Sequence, residues 1–231
     1  MKAELLIPNN RNEISLRQYQ EFLKFQEDYT NDYFLQCKMI EIFCNLDAKT
    51  VRLLKVADAD RIMNILNSMF TEEAELTRRF TLDGIEYGLI PDFDEMSLGE
   101  YIDLDTHIGN WDNILIAMNV LFRPIKQKIG DKYTINEYDI TTKENLKEMP
   151  IGIVLGAVFF LYNLGMDLSR TMIIYARKYG WYQALFSGLA QGDIRRFENI
   201  TKLNVHSCLY TLEYMKEKSE LEAKQIKKKF K

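Results

Sequence analysis

One run, Leu89 to Ile125, restricts the possible folds of this chain more than any other: LIPDFDEMSLGEYIDLDTHIGNWDNILIAMNVLFRPI. Its first half places six carboxylates, Asp92, Asp94, Glu95, Glu100, Asp103 and Asp105, within fourteen residues. A cluster of that kind serves one of three ends: it holds a metal, it caps helix N-termini, or it offers a docking surface. The second half is apolar with helical spacing and carries Trp111. It reads as one uninterrupted amphipathic helix that stops at Arg123-Pro124, because proline removes an amide donor and clashes with the preceding turn.

Spacing separates the three ends. Asp92 and Asp94 form a D-x-D, yet no third oxygen ligand follows at the offset of a calcium loop and its sixth position holds no glycine. Ser97 and Glu100 instead make an S-x-x-E capping box, with Asp94 and Glu95 just ahead of the positive helix end. Asp103, Asp105 and Asp112 then fall in or before the first turns of the next elements. Caps and solvated charges explain the acids best, a docking surface comes second and a metal site last.

The remaining chemistry is thin. Three cysteines and two histidines in 231 residues cannot furnish a convincing zinc set. An odd cysteine count points to free thiols in a reducing compartment, with Cys37 and Cys44 as buried apolar residues. The opening MKAELLIPNNRNE has too short an apolar run for a secretory leader. His206 and Cys208, two apart on a helix, point in different directions. There is no phosphate-binding loop, dinucleotide fingerprint or nucleophile elbow. No catalytic residue, cofactor or metal is expected. A net charge of −4 argues against a surface that binds nucleic acid throughout.

Composition favours helix: 47% hydrophobic and 28% charged residues with only four prolines. The expected fold is mainly α, a compact multi-helix domain with one or two short β-hairpins. Residues 1–215 form one mostly helical domain and 216–231 a Lys-rich helical tail. Ala3 to Pro8 reads as a short strand. Ser15 and Gln18 form a capping box for a helix broken at Asp28–Asp32. Asp47 caps a short helix through Leu54, and Asp58 caps the next, whose stripe is Ile62, Ile65, Leu66, Met69 and Phe70. Asp83-Gly84 between two β-compatible runs is the strongest hairpin signal, and Gly130-Asp131 marks a second. The two hairpins could pair with each other or with the amino-terminal strand.

Further on, Pro150 to Met166 is an uncharged apolar run at the lower edge of a bilayer span. A helix buried on all sides reads the same way and is preferred, with a membrane segment as the alternative. A helix restarting at Asp167 or Ser169 runs through Tyr179. Arg195 and Arg196 fall in the first turn of a helix, where cations are mildly unfavourable, so they face a partner or an acid such as Glu198. From Lys216 onward come seven lysines and three glutamates, a local charge of +4. This stretch reads as a solvated helix end or as a partner-binding tail.

Three stretches carry a resemblance: SLRQYQEFLKF, CKMIEIFCNLDAKTVRLLKVADADRIMNILNSMF, and FTLDGIEYG continuing through the acidic run to RPI. Together with the ending GDIRRFENITKLNVHSCLYTLEYMKEKSELEA, they resemble small helical structural or assembly proteins of tailed bacteriophages. More narrowly, they are similar to tail assembly chaperones and related tail or baseplate accessory proteins. The stretch from Gly130 to Tyr179 has no counterpart in that pattern. The resemblance implies a non-enzymatic protein of the host cytoplasm that binds an aggregation-prone helical virion protein (the tape measure), or else a virion component. Its partners would be phage virion or tail proteins, with self-association, and neither specific nucleic acid nor membrane. The expected partner-binding residues are Asp92, Asp94, Glu95, Asp103, Asp105, Trp111 and Arg123. The Phe22/Phe25/Tyr29 and Trp111/Met118/Phe122 faces would supply apolar surface.

Overall fold

Local signals start most of the helices. Ser15 accepts the amide of Gln18 and Gln18 caps back onto Ser15, opening α1 (Leu16–Asp28) with a complete capping box. Asn31 caps α2 (Asp32–Phe43), and Asp47 caps the short α3 (Ala48–Arg52) by accepting from Lys49 and Thr50. Helix α4 (Val56–Thr71) begins two residues before Asp58, which therefore lies in its first turn and is not its cap. The stripe on α4 is as expected: Ile62, Leu66 and Met69 are buried, joined by Met63. The computed structural model describes residues 5–71, 73–164 and 180–229, and the expected helix from Asp167 or Ser169 to Tyr179 lies outside them.

Both hairpins form. Strands β1 (Arg79–Leu82) and β2 (Ile85–Leu89) are joined by Asp83 and Gly84, which both take positive φ, 49° and 79°. That is the backbone of a type I′ turn, whose twist matches the flanking strands. Strands β3 (Phe122–Ile129) and β4 (Lys132–Ile135) turn at Gly130, φ 60°. The hairpins pair through β2 and β3, giving one antiparallel sheet in the order β1-β2-β3-β4, with Tyr87 opposite Pro124. The fold is mainly α, but this sheet is larger than one or two separate hairpins. Tyr133 of β4 lies across Gly88 of β2, where any Cβ would strike its ring, and its hydroxyl donates to the Leu89 carbonyl at 2.8 Å.

Two expectations fail here for identifiable reasons. Residues 5–8 are not a strand; the amino-terminal segment pairs instead at Ser15, opposite Pro150. Leu16 donates to Met149 and Ile151 to Ile14, each at 2.8 Å, so the entry to α1 is tied to the start of α7 (Ile151–Leu164). The supposed long amphipathic helix after Trp111 is only α6 (Ile114–Leu121), and all eight of its residues are buried. A helix with no solvent face has no amphipathic period to read. Arg123-Pro124 does follow a helix end, as expected: α6 stops at Leu121, and both residues belong to β3, which continues directly from it. Pro124 is tolerated there because the ladder becomes irregular at Ile125 and Gln127.

Helix α6 is the hub. It packs against α5 (Leu98–His107), β3 and a 3₁₀ turn at Ile140–Leu146. Its one polar residue, Asn119, is satisfied: it donates to the Asp139 carbonyl at 2.7 Å and accepts from Thr142 at 3.1 Å. Helix α7 buries Ile151, Ile153, Val154, Ala157 and Leu161. Among the described residues, no helix is long and apolar enough to cross a membrane. Beyond it, α8 (Trp181–Gln183) runs into a π-helical stretch at Ala184–Leu189. Then α9 (Phe197–Thr201) leads to α10 (Val205–Lys229), one unbroken helix of 25 residues.

Candidate functional site

The acidic run divides into two sets that do different things. Glu100, Asp103 and Asp105 turn toward the body. Ser97 and Glu100 complete the second capping box, with the Ser97 amide donating to Glu100 Oε2 at 2.8 Å. The other oxygen of Glu100 meets Arg123 NH1 at 2.7 Å. Both side chains are about nine-tenths buried, so one carboxylate both starts α5 and neutralises the cation on β3. Asp103 accepts from the Tyr138 hydroxyl at 2.7 Å, and Asp105 accepts from the Trp181 indole at 3.2 Å. Burial, reinforced by the hydrogen bond to Asp103, holds the Tyr138 phenol well above its ordinary value. These three acids brace α5 against β3, the segment after β4, and α8.

Asp92, Asp94 and Glu95 form the second set and stay exposed. Asp92 accepts the Asp94 amide at 2.9 Å, forming a local turn. Asp94 Oδ1 lies 3.2 Å from His206 Nε2, and the Asp94 carbonyl accepts from Asn204 at 2.7 Å. Asp92 and Glu95 share a shallow depression with Glu137, Pro91, Ile90 and Ile135. No group of three or more His, Cys, Asp or Glu among the described residues is arranged to hold a metal ion.

The expected docking residues are therefore not one surface. Arg123, only 7% exposed and paired with Glu100, is turned inward and does not present its guanidinium to a partner. Trp111 lies in the turn before α6, half-buried, its ring 5.1 Å from that of Tyr19. Its carbonyl accepts from Gln20 at 2.5 Å, which ties that turn to α1. Met118 and Phe122, expected to extend an exposed Trp111 face, are core residues. Arg195 and Arg196 are answered by Asp193, not Glu198; Arg195 Nε sits 2.9 Å from it. That contact holds the Asp193 carboxyl below its usual range.

The expected Phe25 and Tyr29 face leads to a larger feature. Phe25, Tyr33, Phe34, Cys37, Ala48 and Val51 line a groove of about 730 Å³ between α1, α2 and α3. The rings of Phe25, Tyr29 and Phe34 are mutually adjacent, with Tyr29 and Phe34 4.6 Å apart. Lys38 Nζ lies 4.7 Å from the Phe25 ring centre while paired with Glu41, so the one cation over the aromatics is neutralised. Of the lining residues Tyr33 is 71% exposed, and Leu53 (85%), next in the chain after the lining residue Arg52, and Val56 (76%) are exposed as well. Clustered apolar exposure of this kind marks interaction sites on soluble proteins. The helical stripe of α1 and α2 hinted at the aromatics; nothing local marked Ala48 and Val51 of α3 as their neighbours.

The three cysteines are free and differ in access. Burial pushes the Cys44 thiol up to about 11, and Cys208 is raised for the same reason. Iodoacetamide at mildly alkaline pH is expected to label Cys37 on the groove wall and to spare Cys44 and Cys208 until denaturant is added. Peptide mapping showing equal labelling of all three in the folded protein would contradict the packing. The folded state keeps the Cys44 proton that the unfolded chain releases above its ordinary value of 9.0. Its contribution to stability is thus complete below pH 9 and is lost as pH rises toward 11.

Comparison with protein-family models, with curated proteins and with solved structures returned no match.

Proposed function

We propose that this chain acts without catalysis, by protein–protein binding, as a tail assembly chaperone-like protein that holds an extended helical virion protein. The observation that carries this reading is the aromatic groove between α1, α2 and α3 with its exposed Tyr33, and with the exposed Leu53 next in the chain to its lining residue Arg52. An apolar trough walled by helices takes the apolar face of an amphipathic helix, reading it through anchors one turn apart. Large aromatic side chains supply most of the binding energy at such sites. A net charge of −4 favours the solubility of a holder of sticky helices, and the sequence resemblance to tail assembly proteins points to the same partner class. On this reading the protein works in the host cytoplasm or is carried into the particle.

The test is coexpression with a long, helical tape-measure-type virion protein, followed by measurement of that protein's soluble fraction. The full chain is expected to keep it soluble. The double change Tyr33→Glu with Leu53→Glu, at two exposed positions, is expected to weaken binding at least tenfold, equivalent to about 1.4 kcal/mol. A virion protein that precipitates equally with and without the chain would overturn the reading. So would a Tyr33/Leu53 variant that holds it as well as the wild type.

A further inference from the structure

Among the described residues, nothing covers the last part of the final helix. In α10, Val205, Cys208, Leu209 and Leu212 are buried, but from Glu217 to Ile226 every side chain is exposed. Leu221 (58%) and Ile226 (56%) stand in that stretch among lysines and glutamates. A free helix of so few residues is marginal in water, and its stability normally comes from packing an apolar face. The charge is one-sided as well. The whole chain carries −4 and residues 216–231 carry +4, so residues 1–215 carry −8.

The opposite end of the same helix supplies the complement. Val205 donates to the Met96 carbonyl at 3.0 Å, and Asn204 and His206 both contact Asp94. The exposed Asp92, Asp94 and Glu95 are thus fastened to the start of α10. Beside them, the depression shared by Asp92, Glu95 and Glu137 has Ile90, Pro91 and Ile135 in its lining together with Arg123, whose charge Glu100 neutralises, so it stays net acidic. Carboxylates with apolar side chains between them match the α10 face on which Leu221 lies between Lys218 and Lys224, each three residues away. The twenty-five residues from Val205 to Lys229 span about 36 Å at a rise of 1.5 Å between successive residues, so a chain's own basic helix end points away from its own acidic depression. The two can meet only between molecules.

We infer that the Lys-rich end of α10 docks on the acidic depression of a second copy of this chain, making a head-to-tail contact. The inference is independent of the groove and of what the groove binds. A contact between two different patches of the same molecule is heterologous: it closes into a ring if the rotation allows and otherwise continues as a filament. Self-assembly of this type is charge-driven, and its strength follows ionic strength. The screening length falls from about 10 Å at 0.1 M salt to about 3 Å at 1 M.

Sedimentation velocity on the full chain tests it, with circular dichroism to verify folding of each variant. At about 0.1 M salt the wild type is expected to form species larger than the monomer that dissociate at about 1 M. The tail variant Lys218→Glu/Lys224→Glu/Lys228→Glu and the body variant Asp92→Lys/Glu95→Lys/Glu137→Lys are each expected to be monomeric. Mixed together, the two are expected to associate again, because each now carries the charge its partner lacks. A wild type that stays monomeric at low salt, or variants that associate unchanged, overturns the inference. Failure of the mixture to recover association also overturns it. A tail variant that loses binding only to anionic vesicles or to duplex DNA assigns the helix end to those ligands instead. The groove variant is expected to sediment as the wild type does, which keeps this result separate from the chaperone reading.

Discussion

Arg123→Met, with Glu100 left in place, is expected to lower the free energy of unfolding by about 3–5 kcal/mol. The change removes the cation from a carboxylate that is itself only 8% exposed, and an uncompensated buried charge is among the most damaging single changes. The pair itself contributes little net stability, because taking two ions out of water offsets most of their attraction. Neutralising both partners should therefore undo much of the damage. In Glu100→Gln/Arg123→Met the amide still accepts from the Ser97 amide, so the capping box survives. Urea denaturation of the two single variants and the double reads the coupling directly. A loss below about 1 kcal/mol for Arg123→Met would mean that β3 and α5 are not joined as described.

Gly156→Ala carries the second large effect, and helix propensity alone gives it the wrong sign. Alanine in a helix interior is favoured over glycine by about 1 kcal/mol. In α7, however, a Cβ at position 156 would collide with the carbonyl oxygen of Glu75. The obstacle is backbone, which cannot rotate away. The segment leading into β1 would have to lift off the helix, and the expected loss is about 1–3 kcal/mol, more for Gly156→Val. Gly152→Ala on the same helix is the control. Its Cβ would meet the Asn12 side-chain oxygen, the end of a side chain that can swing aside. Thermal melts of the two alanine variants should separate by several degrees, on the order of 2–4 °C per kcal/mol for a chain of this size. Equal melting points would refute the close approach of α7 to Glu75.

Parts of this architecture were legible because they are local. A capping box needs only two residues three apart, and both Ser15–Gln18 and Ser97–Glu100 formed as read. A type I′ turn needs only residues that tolerate positive φ, and Asp83-Gly84 formed one. Reading failed where a residue's role depends on distant chain. Trp111 is a bridge to α1 only because Tyr19 and Gln20 come to meet it. Ala48 and Val51 become part of an apolar wall only because α3 comes to lie beside the α1–α2 groove. Asp92 and Asp105 are thirteen residues apart and alike in sequence; one stays in solvent and the other holds the Trp181 indole.

For this protein the sequence by itself determined the starts of α1, α3 and α5, both hairpin turns and the mainly α class, since each follows from short-range hydrogen bonding and backbone freedom. Tertiary structure alone decided that the two hairpins share one sheet, that α6 has no solvent face and that Arg123 lies inside. It also decided which acids of the Leu89–Ile125 run remain exposed. Those outcomes depend on which surfaces lose water together, a property of pairs of segments far apart in the chain that no window of sequence contains.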